Sequence, residues 1–235
     1  MPAPLTPVLL AALAKIDTPT ICNALELVAP ERRGHGFTVR PLVCPFPDLP
    51  PIVGYARTAT IRAKEPDSRP AAVGKQLRLD YYAFVGEGAV PKISVIQDLD
   101  GAQAGWGAFW GEVHSTVHKA LGCLGVVTDG SVRDIPQVAP GFQMLAGSIG
   151  PSHAHVHLVD FGGQVNVAGM VVSNGDLVHA DRHGAVVIPH DVADRVAAAA
   201  DLCARREAPI LDVCRRPEFR AELLAEALAK AGEIH

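Results

Sequence analysis

Two hydrophobic periods divide the chain between helix and strand. Helical spacing of apolar residues predicts a first helix over Leu5–Ile16. A second follows, capped by Asp17 or Thr18, with Pro19 in its first turn and Ile21, Leu25 and Val28 on one face. Ala29–Pro51 is proline-rich and reads as a long arm around a short strand at Phe37–Val43. Alternation over Gly54–Arg62 predicts a strand, Lys64–Pro70 a polar loop, and Val73–Phe84 a helix. Further strands are expected at Phe142–Leu145, His153–Val159, Val165–Val172, Leu177–Ala180 and Ala185–Ile188, with a turn at Ser173–Asp176. Two helices close the chain. One runs from about Asp191, its cap, to Ala208; the other has Pro217 in its first turn and buries Leu223, Leu224, Ala227 and Leu228.

The stretch Lys92–Ile135 carries the densest signal. Ile93, Val95 and Ile96 make a strand, followed by Gly101, Gly105, Gly107 and Gly111, where backbone can turn sharply and approach a ligand. Val113, Val117, Ala120 and Leu121 then give a helix an apolar face, which Gly122 and Gly125 stop. Val126 and Val127 form a second strand, and Asp129–Gly130 turns the chain toward Arg133 and Asp134. A strand–helix–strand unit is parallel, so the glycine loop and the Arg133–Asp134 turn share one edge of the sheet. Ligands of open α/β sheets sit at that edge. A dinucleotide site is disfavoured, because Gly105-x-Gly107-x-x-x-Gly111 is one residue too long and Trp106, Phe109 and Trp110 crowd a pyrophosphate.

Residue chemistry narrows the edge further. A guanidinium such as Arg133 grips a carboxylate with a planar fork. A single carboxylate such as Asp134 is sufficient anchor for Mg²⁺ or Mn²⁺, which keep several waters. Amides at the start of the helix near Gly111 favour anions. From residue types alone an ordinary surface ion pair explains Arg133–Asp134 as well. Glu112 is equally explained as a first-turn acid, and Glu207 as a solvated helix residue. His114 and His118 have zinc spacing but lack the glutamate of HExxH. His153, His155 and His157 would share one strand face, as a polar or subunit-contact stripe or as a metal patch. Trp106, Phe109 and Trp110 read as lid or interface packing, and Asp98 and Asp100 as support for the loop or as turn chemistry.

The run Gly107-Ala-Phe-Trp-Gly-Glu112, then Lys119-Ala120, Gly122-x-x-Gly125 and Asp129-Gly130-x-x-Arg133-Asp134 resembles the RraA-like family. Asp17-Thr18-Pro19-Thr20, Asn23-Ala24-Leu25, Asn174-Gly175-Asp176, His179-Ala180-Asp181, Gly184–Pro189 and Arg206-Glu207 extend the likeness. That family holds divalent-metal pyruvate aldolases acting on 4-hydroxy-4-methyl-2-oxoglutarate and 4-carboxy-4-hydroxy-2-oxoadipate, and also regulators of ribonuclease activity. The resemblance implies an α/β swivelling β/β/α-type domain with N-terminal helices and a C-terminal helical extension. It implies a homotrimer or hexamer with sites at subunit interfaces. It gives Asp134 to the metal, Arg133 to the keto acid, and the amides of Ala108, Phe109, Trp110 and Gly111 to the substrate carboxylate. Glu112 would stand behind the metal through waters, and Glu207 would come from a neighbouring subunit. Two functions follow: a class II lyase releasing pyruvate, with oxaloacetate decarboxylation as side activity, or a non-enzymatic protein that binds a ribonuclease. Retention of Asp134 favours the lyase, since the regulators replace that carboxylate.

Composition agrees with this reading. The 235 residues are 49% hydrophobic, enough for one sizeable core, with about 17–190 as core and 191–235 as C-terminal helices. A net charge of −4 gives no basic surface for nucleic acid. Five scattered cysteines without a CxxC pair predict reduced, mostly buried thiols in a cytoplasmic protein. Leu9–Ala14 is too short to span a membrane, and no basic residue precedes it as in a signal peptide.

Overall fold

Strand β1 (Ile52–Arg62) is the axis of the computed structural model, which describes residues 4–234. It is buried along nearly its whole length, which explains its run of apolar and small residues. Parallel to it lie β2 (Lys92–Asp98), β4 (Cys123–Thr128) and β6 (Gln143–Leu145), in the order β1-β2-β4-β6. On the other edge, β8 (His157–Phe161) pairs antiparallel with the end of β1, and β11 (Leu177–Asp181) with its beginning. β12 (Gly184–Ile188) completes that side. A short parallel sheet stands beside it, made of β3 (Ala108–Trp110), β5 (Ser131–Val132) and β7 (Ser148–Ile149). The hairpin β9 (Val165–Val167) and β10 (Met170–Val172) packs over one face.

Residue parity along β1 sorts the core. Val53 and Tyr55 meet helices α1 (Pro7–Leu13), α2 (Thr18–Val28) and α5 (Ala193–Cys214). Ala59 and Ile61, on the same face, meet the layer of α3 (Ala71–Gly86) and α4 (Glu112–Ala120). Ile52 and Ala56 point oppositely, toward the hairpin. The last helix, α6 (Ala221–Gly232), packs on α5. Among the described residues no single helix is long and apolar enough to cross a membrane.

Buried polar groups fasten these layers. The Lys92 ammonium is buried and donates to the carbonyls of Val85 and Gly86 at 2.8 Å and of Leu121 at 3.1 Å. It thereby satisfies carbonyl groups at the ends of both α3 and α4. His179 joins the N-terminal helices to the sheet: its Nε2 donates to Ile16 O at 2.9 Å, so its Nδ1 accepts from the Thr18 hydroxyl at 2.9 Å. Asp181 accepts from the Thr18 amide at 2.9 Å.

The parallel strand–helix–strand unit stands as expected, and several other elements differ. Residues 37–43 form no strand; Phe37 bridges Val186 and Val43 bridges Ala146, while the Val39 amide reaches Ala168. The arm touches β12, the β9–β10 turn and the residue after β6 in succession instead of following one strand. The strand expected from His153 begins only at His157, because Ala154 turns left-handed at φ 45° and Val156 bonds back to His153. Val165–Val172 is a hairpin, broken at Ala168–Gly169, where both φ angles are positive. Helix α5 starts at Ala193 with Val192, not Asp191, at its cap, and it runs on through Pro209. Helix α6 starts after Pro217 and buries Ala227 and Ala231, leaving Leu228 52% exposed and Leu223 and Leu224 half-buried. Gly125 lies inside β4, so Gly122 alone, at φ 91°, ends α4. All five cysteines are free thiols, but only Cys123 is buried.

Candidate active site

Helix α4 fixes the site, and it does so with an unexpected face. Val113 is 67% exposed, while Ser115 and His118 are buried. His118 pays for its burial with two bonds: Nδ1 donates to His114 O at 2.7 Å, and Nε2 accepts from Tyr81 OH at 2.9 Å. Burial holds it neutral, pushing its pKa from 6.5 down to about 3. Its ring packs on Trp110, centroids 4.5 Å apart. The core side of the helix thus carries Ser115 and His118 beside a half-buried Val117, and both ring nitrogens of His118 are engaged within the protein. Among the described residues no group of three or more His, Cys, Asp or Glu side chains is arranged to hold a metal.

The first turn of α4 has no side-chain cap, since Gly111 occupies the cap position. Its dipole and free amides therefore face outward into a cavity of about 350 Å³. Gly111, Arg133 and Asp134 line that cavity. Asp134 adopts left-handed backbone, φ 54° and ψ 37°, a conformation uncommon for a residue with a side chain. That twist lays its carboxylate against the helix start. A Cβ added to Gly111 would stand 2.5 Å from Asp134 Oδ2. Arg133 Nε lies 3.5 Å from the same oxygen, and both side chains are about one-third exposed. Arg133 is itself positioned by its amide, which donates to Trp110 O at 2.8 Å.

Arg78, His153 and His157 also line the cavity, with Phe109 and His114 in its wall. Arg78 makes no hydrogen bond or ion pair among the described residues. Burial above all, and then the guanidiniums of Arg78 and Arg133, push the His114 pKa down to about 4. Asp98 and Asp129 support the glycine loop from behind. Asp98 accepts from the amides of Gly105 at 2.8 Å and Asp100 at 3.0 Å, and Asp129 accepts from the Asp98 amide at 2.7 Å. Burial raises the pKa of both carboxyls. Asp100 in turn holds the amides of Ala63 and Lys64.

The predicted site residues are thus brought together unevenly. Gly111, Arg133 and Asp134 converge, and Phe109 lines the same cavity. Ala108 lines it too, but its amide is taken by Ser152 O at 2.8 Å, so that N–H is not free for a substrate carboxylate. Trp110 is fully buried against His118 and Phe142, a core residue and not a lid. Trp106, 58% exposed, stays at the surface beneath Lys64. Glu112 begins α4, exposed. Glu207 is exposed on α5, which packs on α2 and α6 and does not line the cavity. His153 and His157 reach the cavity from a bend and a strand end, not from one strand face, and His155 does not line it. Arg78 carried no local signal, because only tertiary packing of α3 brings it to the cavity.

The fold and this cavity define a mixed α/β protein whose anion-attracting crevice is built around one carboxylate. The chain belongs to the RraA-like family: the Aldolase/RraA family model matches residues 18–187. This family includes both aldolases and RNase E inhibitors. An uncharacterized protein of Pseudomonas syringae pv. tomato has a similar structure, at 20% identity and TM-score 0.72, covering 97% of this chain and 96% of that one. Streptomyces coelicolor RraAS2, an unusual member of the RNase ES inhibitor RraA protein family, is similar at 21% identity and TM-score 0.67, over 92% of this chain and all of that one. At such identities the likeness is one of fold. An uncharacterized protein of Methanocaldococcus jannaschii is 36% identical over 83 residues, a match that spans 34% of this chain and 40% of that relative's length.

Proposed function

We propose that the protein is a divalent-metal-dependent lyase that cleaves a 4-hydroxy-2-oxo acid to pyruvate, with oxaloacetate decarboxylation as a second activity. The observation that carries this reading is the left-handed Asp134, whose carboxylate stands against Gly111 and 3.5 Å from Arg133 at the start of an uncapped helix. The donor set fits the group: one partly exposed carboxylate in a roomy cavity suits hydrated Mg²⁺ or Mn²⁺ better than a closed, fully liganded zinc site. Asp134 is the residue that would hold it, with a 2-oxo acid completing the coordination. A cation there supplies Lewis acidity to the 2-oxo group as negative charge gathers on it.

The chain's own groups do the rest. Arg133 fixes the 2-oxo acid with a directed fork. The amides of the α4 first turn take the substrate carboxylate, favoured by the dipole. Held in this way, the C3–C4 bond breaks as the C4 hydroxyl gives up its proton. The bond pair moves to C3, C4 becomes a carbonyl, and a proton returned to C3 completes pyruvate. Glu112, exposed in the first turn of α4, would pass that proton. Glu207 contributes only across a subunit boundary, so the reading includes a trimer or hexamer.

The test is pyruvate release from 4-hydroxy-2-oxo acids and from oxaloacetate, with Mg²⁺ or Mn²⁺ added. Asp134→Ala abolishes it. Absence of metal-dependent turnover of any 2-oxo acid would overturn the reading. The likeness to RraAS2 supports a second reading, binding to a ribonuclease without catalysis. Inhibition of a ribonuclease that survives Asp134→Ala would select it.

A further inference from the structure

Cleavage needs a group that receives the C4 hydroxyl proton. Asp134, which would hold the cation, and Glu112, which would return a proton to C3, leave that role open. Four other polar side chains line the cavity: Arg78, His114, His153 and His157. A guanidinium has no lone pair to offer. His114 Nε2 is sealed from water, and burial pushes the pKa of the ring down to about 4, which makes it a weak base. His153 is exposed on the bend before β8, and its Nδ1 is bonded only to the carbonyl of the next residue, Ala154.

His157 differs from these. It opens β8, where it pairs with Arg62 of β1. Its Nδ1 donates to His155 O at 2.8 Å, because a carbonyl can only accept. The neutral ring therefore carries its lone pair on Nε2. That nitrogen has no hydrogen-bond partner among the described residues, and unlike His114 Nε2 it is not one of the unpartnered atoms that the fold seals from water. Charged neighbours are engaged elsewhere: Arg62 with Leu99 O at 3.1 Å and Asp100 at 3.2 Å, and Arg69, which bonds the carbonyl of Val159, with Asp67 at 2.9 Å. The cavity, about 350 Å³, lies near the small end of small-molecule sites, which run from about 300 to 1,000 Å³. An acid seated on Arg133 and Asp134 therefore comes within reach of its other walls.

We propose that His157 is a catalytic residue, whose Nε2 takes the C4 hydroxyl proton as the C3–C4 bond breaks. The inference rests on the cleavage reading above. The O–H pair becomes the second bond of the new C4 carbonyl, the C3–C4 pair moves to C3, and the proton stays on Nε2. The His155 carbonyl, already bonded to Nδ1–H, stabilises the imidazolium so formed. His157 then gives its proton to water, and Glu112 draws from water the one it passes to C3, so the cycle balances. Oxaloacetate makes no use of this base: it loses CO₂ from C4 and has no hydroxyl proton there to remove. The two activities of the site should therefore separate at His157.

The test compares wild-type protein with His157→Gln, His157→Asn and His155→Gln, the last a neighbour whose side chain does not line the cavity. Three quantities are read: kcat/KM for pyruvate release from 4-hydroxy-2-oxoglutarate and 4-hydroxy-4-methyl-2-oxoglutarate with Mg²⁺, kcat/KM for oxaloacetate with Mg²⁺, and the calorimetric Kd of Mn²⁺. An amide keeps a polar contact but takes no proton. Both His157 variants should lose about a hundredfold or more on the two hydroxy acids, mainly in kcat. Their oxaloacetate turnover and Mn²⁺ Kd should stay within about threefold of wild type, and His155→Gln should stay within about twofold throughout. Equal losses on hydroxy acids and oxaloacetate overturn the proposal, since His157 would then serve the metal or the fold. Cleavage within about threefold of wild type in either His157 variant also overturns it. So does wild-type protein that turns over oxaloacetate but neither hydroxy acid. Wild-type protein that turns over none of the three overturns the cleavage reading itself, and this inference with it.

Discussion

Replacing Gly111 with alanine isolates the contact on which the site is built. The backbone at Gly111 is extended, φ −168° and ψ −155°, so alanine meets no torsional obstacle. The obstacle is spatial. The new methyl would stand 2.5 Å from Asp134 Oδ2, 3.2 Å from its Cγ and 3.3 Å from Arg133 Cγ. Ordinary contact begins near 3.4 Å, so the carboxylate must retreat by about 0.9 Å. Because that oxygen ends a partly exposed side chain, the fold yields cheaply. Alanine is also a poorer cap than glycine, and the two effects together cost roughly 0.5–1 kcal/mol, or a few degrees of melting temperature. Function should suffer far more. A displacement of about 1 Å at a reacting centre costs about a hundredfold in rate. The assay is metal-dependent pyruvate release together with Mn²⁺ affinity by calorimetry. Gly34→Ala, whose methyl meets no atom within 4 Å, serves as control. A Gly111→Ala protein with turnover and Mn²⁺ affinity within about twofold of wild type would refute the placement of Asp134 as the working carboxylate.

Other consequences concern stability. His118 is neutral in the fold with a pKa near 3, while an unfolded histidine titrates near 6.5. Between those values the unfolded state binds more protons, so stability is full above about pH 6.5 and declines as pH falls toward 3, by roughly 1.4 kcal/mol per pH unit. Burial raises the carboxyl pKa values of Asp98 and Asp129, and these pull the opposite way as pH falls. The clean measurement is therefore a difference: urea unfolding of wild type and His118→Gln from pH 7 to 4, with the variant showing the shallower acid loss, and equal slopes contradicting the assignment. Lys92→Met strands the carbonyls of Val85, Gly86 and Leu121 inside the protein and should cost about 2–4 kcal/mol by urea unfolding. A loss below about 0.5 kcal/mol would show that water replaces the ammonium freely.

How much of this was legible in the sequence depends on how local each cause is. Ile93, Val95 and Ile96, the glycines after them, and Val126–Val127 gave the parallel unit and its functional edge, because strand and turn chemistry act over a few residues. Asp17 before Pro19 marked the start of α2, and the Asp17 carboxylate does accept from the Thr20 amide at 2.9 Å. Helix α4 was placed correctly, and of its expected apolar face Val117 and Leu121 are half-buried while Val113 and Ala120 are exposed. Counting apolar residues favours Val113, and it does not see that Tyr81 and a carbonyl can satisfy a buried His118. The arm at 37–43 looked like a strand because it has the residues of one, yet its partners lie in β12, in the β9–β10 turn and just after β6. Arg133 and Asp134 were found by motif and brought together by the left-handed turn. Arg78 and His157 join them through packing of α3 and β8, about which neighbouring residues say nothing. Ala108 was assigned a free amide that Ser152 in fact occupies.

The most direct measurement is anomalous diffraction from crystals soaked with Mn²⁺ and oxalate. The account predicts a single strong manganese peak bound by an Asp134 oxygen, with oxalate bridging it toward Arg133 and the amides at the start of α4. Manganese elsewhere in the protein, with Asp134 left in water and oxalate absent from the crevice, would contradict it.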